Sequence, residues 1–298
     1  MIELVNQNCS FLPKNKLCFS LKTRNIERGT KNMLADYHLH SDFSGDCNVP
    51  MQQMIEAAIQ KKMKRLCFTE HHDIDFPDVG IDFTLDINAY YQQFKKYKAQ
   101  YADTIQLLFG IELGIQPHIY PQLSKITLEY PFDFVLASNH LADGVDPFDP
   151  KYFEGRTQEQ GYRAYFEDML YNVTHYTDYD IYSHLDYVIR YGDFENKHIH
   201  YPDYSELLDS ILATIIQHGK GIELNTSGIR YGLGQPHPSY TILERYRELG
   251  GELITLGSDA HTPKDIMRHF DEGKELLKKA GFSYFTTYVK RKPYFHRL

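Results

Sequence analysis

His38 and His40, one residue apart in "DYHLH", can turn their rings to the same side of an extended chain, because side chains alternate faces along a strand. Such a pair can grip one cation. Residues able to complete a coordination shell recur down the chain. They are Glu70, His71, His72 and Asp73 in "TEHHD", Glu112 in "GIEL", His140 in "ASNH" and His184 in "YSHLD", then Glu223 and Asn225 in "GIELNTSG" and Asp259 and His261 in "GSDAH". Mixed imidazole and carboxylate ligands suit Zn, Mn or Fe and disfavour Ca or Mg alone. Singly, each of these residues reads equally well as a structural histidine or a loop acid. Together they follow successive apolar runs, which a solvated surface would not produce.

Those runs are the elements that must position the ligands. "MLADYH" (33–38), "RLCFT" (65–69), "IQLLFGIEL" (105–113), "DFVLAS" (133–138), "DIYSH" (180–184), "GIELNT" (221–226) and "ELITLGS" (252–258) read as strands. Helical spacing lies between them, as in Met51, Met54, Ile55, Ala58 and Ile59 after Pro50, and in Leu208, Ile211, Leu212, Ile215 and Ile216. "SYTILERYRELGG" reads as a helix with Ser239 as N-cap and Gly250 or Gly251 as its stop. Tyr90, Phe94, Tyr97 and Tyr101 have the spacing of a helix face packed on the core rather than a stacking platform. About seven strand–helix units predict a closed α/β barrel, with an open doubly wound sheet as the alternative. In a barrel, all the C-terminal strand ends meet on one face, where active sites are built. Residues 141–162 read as a loop-rich insertion and 282–289 as a last, peripheral strand. Residues 1–32 fall outside the rhythm and read as an N-terminal extension to a single domain over 33–298.

Composition narrows the function. The 298 residues are 42% hydrophobic and 24% charged, with a formal net charge of −8, which speaks against a broad nucleic-acid surface. No run of 18 apolar residues predicts a membrane span, and the N-terminus lacks a secretion-signal pattern. Cys9, Cys18, Cys47 and Cys67 form no CxxC pair, which fits reduced thiols in a cytoplasm. No GxGxxG or GxxxxGK[ST] nucleotide signature is present.

In this order, "DYHLHSDFSGD", "FTEHHD", "GIEL", "SNH", "SHLD" and "GSDAH" resemble the polymerase and histidinol phosphatase (PHP) family from about residue 34 to about 280. "NHLADGVD", "YFEG", "YRAYFEDML" and "ELNTSGIR" are similar to its histidinol-phosphate phosphatase branch. The resemblance implies a distorted, TIM-like (β/α)7 barrel with three divalent ions, of Zn, Mn or Fe. It implies that His38, His40, Glu112 and Asp259 hold one ion, that Asp46, His71 and His261 hold a second, and that Glu112, His140 and His184 hold a third, with Glu112 bridging. Some family members use His where Asp46 stands. Asp36 and His72 read as structural.

The activity so implied is hydrolysis of a small-molecule phosphate monoester, L-histidinol phosphate, in histidine biosynthesis. A hydroxide bridging two ions would attack phosphorus. Arg190 in "VIRYG" and Arg230 in "GIRYG" are the candidate guanidinium forks for the phosphate. His261, Asp259 or a metal-held water is the candidate proton source for the leaving group. His237 in "GQPHPS" is a candidate substrate contact, at a place where the branch often carries another residue. Glu70, Asp73 and Asp143 are acids able to pair with the substrate ammonium. The competing readings are a phosphoesterase acting on another small metabolite or a nucleotide, and a non-catalytic PHP module.

Overall fold

The computed structural model describes residues 33–77 and 80–298. The extension at 1–32, with Cys9 and Cys18, lies outside the described residues. Seven parallel strands run in sequence order: β1 (Ala35–Asp36), β2 (Arg65–His72), β3 (Gln106–Gly114), β4 (Phe134–Ser138), β5 (Ile181–Tyr182), β6 (Gly221–Asn225) and β7 (Ile254–Gly257). Just past the ends of β7 and β1, Leu39 bridges Ala260, and the His40 amide donates to the Ala260 carbonyl at 3.0 Å. These bonds bring the last strand back to the first, and the sheet forms a nearly closed (β/α)7 barrel. Its strands read as continuous apolar runs because they are covered on both faces.

The crossover helices are α1 (Met51–Gln60), α2 (Ile87–Gln100), α3 (Tyr120–Glu129), α4 (Gln158–His175), α5 (Tyr201–Gln217), the short α6 (Ser227–Arg230) with α7 (Tyr240–Glu248), and α8 (Phe270–Lys279). In α1 the spaced residues Met51, Met54, Ile55 and Ala58 are buried, and the Asp42 carboxylate accepts from the Met51 amide at 3.1 Å. In α2, Tyr90 and Phe94 enter the core while Tyr97 and Tyr101 pack against it from outside.

The structure differs from the sequence reading in three places. The loop expected at 141–162 ends in helix: α4 begins at Gln158 behind a capping box of Thr157 and Gln160. Gly161 there marks close packing rather than a turn, since a Cβ would meet the Phe153 ring at 2.5 Å. Ser239 precedes α7 but its hydroxyl caps no helical amide; its own N–H donates to Asp186 at 2.9 Å. The peripheral strand, β8 (Tyr284–Val289), is one arm of an antiparallel hairpin with β9 (Lys292–Arg297). The hairpin covers the N-terminal end of the barrel. Thr286 donates to the Ile254 carbonyl, the Tyr37 hydroxyl donates to the Tyr288 carbonyl, and Arg291 pairs with Asp180.

Candidate metal centre

The strand register sets the site. Pairing of β2 with β3 puts His71 beside Glu112. Because side chains alternate, the neighbours of His71 serve elsewhere. Glu70 accepts from the Ser41 amide and from the hydroxyls of Ser41 and Ser44, and His72 accepts from the Leu85 amide. Glu112 is fully buried among four imidazoles. His38 Nε2 and His71 Nδ1 stand 3.1 Å from its Oε2, and His184 Nε2 and His140 Nε2 stand 3.1 and 3.3 Å from its Oε1. His40 stacks between His71 and His261, with centroids 4.2 and 4.3 Å away. Asp259 Oδ1 lies 3.8 Å from His38 and 3.6 Å from His40. Asp46 lies 3.1 Å from His261 and 3.7 Å from His71. The residues that the family resemblance implies as ligands, His38, His40, Asp46, His71, Glu112, His140, His184, Asp259 and His261, thus lie in one cluster at the C-terminal ends of the strands.

An outer layer orients the rings. Glu223 takes His38 Nδ1 at 2.7 Å, Asp73 takes His140 Nδ1 at 2.6 Å, Ser44 Oγ stands 3.0 Å from His40 Nδ1, and the Asp259 carbonyl stands 3.1 Å from His261 Nδ1. Each contact turns Nε2 inward, as a metal-binding histidine requires. Gly257 makes room for this layer, since a Cβ there would meet Glu223 Oε1 at 2.0 Å. Asp259 sits at φ +53°, a left-handed conformation that Asp tolerates better than most residues. Asp36 braces the same turn by accepting from the Ser258 and Met267 amides.

The residues fit a metal. His40 Nε2 is buried, points into the cluster and has no hydrogen-bond partner among the described residues. A buried polar atom left unpaired is costly, and a cation would satisfy it. Burial holds His40 down to about 3, helped by His71 and His261, and holds His184 down to about 4, so both rings are neutral with lone pairs available. Burial opposes charge on Glu112 and Asp259 as well, but the facing imidazoles, with Arg190 beside Asp259, outweigh it and keep both carboxyls well below their usual range. Burial would also lower His38, His71 and His140, but the facing carboxylates outweigh it and raise them, so a bound cation would take the place of their protons.

The arginines and His237 divide the phosphate side differently from the sequence reading. Arg190 lines the cavity over the cluster. Its Nη2 donates to Asp259 at 3.1 Å and to Ser227 at 2.6 Å, and the rings of Tyr187 and Tyr231 flank it at 5.0 and 4.5 Å. Arg230 instead donates to the carbonyls of Ser258 and Asp259, at 3.0 and 2.8 Å. Its fork holds the turn that carries Asp259. His237 is fully buried and touches Asp186 and Arg190 rather than the cavity, which corrects its reading as a substrate contact.

Of the acids considered for the substrate ammonium, Glu70 is bound by serines, Asp73 by His140, and Asp143 is exposed against Arg156. Asp146, not among them, also lies at the cavity. It lines the cavity with Tyr187 and Tyr191, and one of its oxygens accepts from the Phe148 amide at 2.9 Å. Its place inside the loop-rich 141–162 segment was the available signal.

A family model described as "PHP domain" matches residues 36–227, and the chain belongs to that family. The chain is 32% identical to the histidinol-phosphatase of Lactococcus lactis over 255 residues, 85% of this chain and 93% of that protein. It is also 32% identical to a probable histidinol-phosphatase of Clostridium acetobutylicum over 250 residues, 83% and 93% of the two chains. The crystal structure of the Lactococcus lactis histidinol phosphate phosphatase, complexed with zinc, L-histidinol and phosphate, superimposes with a TM-score of 0.80, covering 88% of this chain and 98% of that one.

Proposed function

We propose that the chain hydrolyses L-histidinol phosphate to L-histidinol and phosphate, the phosphatase step of histidine biosynthesis. The observation that carries this reading is the Glu112 carboxylate shared by four imidazoles under a cavity that Arg190 lines. The 32% identity to a histidinol-phosphatase across most of both chains supports the substrate.

Three divalent ions fit the cluster, zinc being favoured because the Lactococcus lactis enzyme binds it. His38, His40, Glu112 and Asp259 would hold the first, Asp46, His71 and His261 the second, and Glu112, His140 and His184 the third. The ligand atoms of His38, His40 and Asp259 lie within 4.8 Å of one another, as do those of His38, Glu112 and His184 and those of His40, His71 and His261. His40 therefore stands between the first two shells. When bound, such ions supply charge for the phosphoryl oxygens and a nucleophilic water at neutral pH. Arg190 grips a further phosphoryl oxygen with a charged N–H donor of its guanidinium. Asp259 and Ser227 hold that guanidinium in place, and Arg230 fixes the backbone of Asp259. His261, half-open to the cavity beside Asp46, is placed to pass a proton to the departing alkoxide. Asp146 and the tyrosines Tyr187 and Tyr191 offer a carboxylate and ring faces to the cationic alcohol part of the substrate.

Residues 33–298 act as one barrel domain in this reading, with 1–32 as an appended segment. The compartment proposed is the cytoplasm, which suits the two described cysteines, Cys47 and Cys67, both buried and unpaired. No helix among the described residues is long and apolar enough to cross a membrane.

The test is phosphate release by zinc- or manganese-loaded protein. Histidinol phosphate is expected to turn over far faster than nucleoside monophosphates, and the gene is expected to complement a histidinol-phosphatase defect. Equal or reversed rates would defeat the substrate assignment and favour a phosphoesterase for another metabolite.

A further inference from the structure

We infer that Asp186, His237 and Arg190 form a fixed relay in which His237 positions the phosphate-gripping guanidinium without touching the substrate. This role for His237 rests on the phosphatase reading given above. Its basis is a chain of three contacts. Asp186 Oδ1 stands 2.5 Å from His237 Nδ1, His237 Nε2 stands 3.0 Å from Arg190 Nε, and Arg190 Nη2 reaches Asp259 Oδ2 at 3.1 Å.

The direction of each bond is forced by chemistry. A guanidinium N–H only donates, so His237 Nε2 must accept and carries no proton. The ring's single proton is then on Nδ1, donated to Asp186. His237 is therefore a neutral Nδ1–H tautomer held from both sides. Burial keeps it neutral, and the Arg190 charge opposes protonation against the pull of Asp186. Asp186 is fixed in turn, because its second oxygen accepts from the Ser239 amide at 2.9 Å. The Ser239 hydroxyl, 3.2 Å from Thr241 Oγ1, takes no part in this contact.

The relay settles the fate of each Arg190 donor. Nε goes to His237, and Nη2 goes to Ser227 and Asp259, while Nη1 has no protein acceptor among the described residues. Arg190 lines the cavity, so Nη1 is the donor left for a phosphoryl oxygen. Without an acceptor at Nε the guanidinium would keep only its Nη2 contacts with Ser227 and Asp259, which draw it toward the metal ligands. His237 thus preorganises the grip and keeps Arg190 from collapsing onto a carboxylate that must serve an ion.

Two substitutions separate the bonds, because Gln places an acceptor near the Nε2 position and Asn places a donor near the Nδ1 position. His237→Gln is expected to keep the Arg190 contact and to retain affinity for inorganic phosphate and kcat/KM within about threefold. His237→Asn is expected to keep the Asp186 contact and to lose about tenfold to a hundredfold in both, the value of a hydrogen bond to a charged group. Zinc content should stay at the wild-type level in each. In an Arg190→Ala background neither change should cost anything further. Equal losses in Gln and Asn variants, or additive losses in the Arg190→Ala background, would overturn the relay. Should either variant fail to fold, nitrogen-15 spectra of the zinc-loaded wild type decide. A proton on Nδ1 and a bare Nε2 are expected, and an Nε2–H tautomer would contradict it. Phosphate binding does not involve the alcohol, so a wrong substrate assignment would leave these phosphate results unchanged.

Discussion

At the N-terminal end of the barrel, Asp180 accepts from the Val135 amide and pairs with Arg291, while Asp133 accepts from the amides of Phe109 and Lys290. His296 lies against the Thr287 hydroxyl at 2.7 Å. At the C-terminal end, His40 Nε2 is buried without a partner among the described residues, and four imidazoles share one carboxylate. Both ends bury charge and histidine. The lower end pairs its charges and its histidine with protein and leaves only neutral hydroxyls, such as those of Tyr176 and Tyr179, without a partner among the described residues, whereas the upper end leaves metal-ligating atoms aimed at a common space. Buried polar groups are almost always paired, so the second pattern marks a ligand site where the first marks structure.

The largest effect that would sharpen this contrast comes from Glu112. Glu112→Gln is expected to lower phosphate release by about a thousandfold or more, since several kcal/mol of transition-state charge stabilisation depend on the ions it holds. Bound metal should fall with it, as read by elemental analysis. At the other end, Asp180→Ala strands Arg291 and is expected to cost about 2–3 kcal/mol of stability in denaturant titration. Metal content and activity per folded molecule should stay unchanged, and a loss of metal there would break the comparison.

Gly257→Ala tests the outer layer of the upper end. A Cβ there displaces Glu223 from His38, and metal affinity is expected to weaken about tenfold to a hundredfold, as measured by competition with a chelating dye.

The smallest effect is on pH dependence. In metal-free protein, His40 and His184 titrate at about 3 and about 4, below the ordinary 6.5, because they are buried. The unfolded chain then binds more protons, and stability falls as pH drops from 6.5 through those values. Burial would lower His71 as well, but Glu112 and Asp46 outweigh it and lift His71 to about 9. Its contribution is present below 6.5 and is lost as pH rises through 9. The melting temperature of chelator-treated protein is expected to peak near pH 6.5. Zinc should flatten that profile, because the ions replace these protons.

Much of this was legible in the sequence. The runs at 65–69, 105–113 and 133–138 are apolar enough to betray strands covered on both faces, and ligand-type residues lie at or just past their ends. The hairpin's second arm was not legible, since "KPYFHR" holds no apolar run. Nor was the layer behind the ligands. Glu223 meets His38 across 185 residues of sequence, and Asp186 meets His237 across 51. Such pairs arise from the closing of the barrel and from loop packing, which local spacing does not encode. Arg230 illustrates the same limit: its position after β6 fits a phosphate fork, yet its donors hold the carbonyls of Ser258 and Asp259.

The central claim is that the unpaired imidazoles at the C-terminal end are a metal centre. Diffraction from zinc-soaked crystals, recorded at the zinc absorption edge, tests it most directly. Anomalous peaks are expected about 2.0–2.1 Å from the inward nitrogens of the histidine cluster, with none beside His296 at the hairpin end. A cluster without a peak, or zinc held only at the hairpin end, would contradict it.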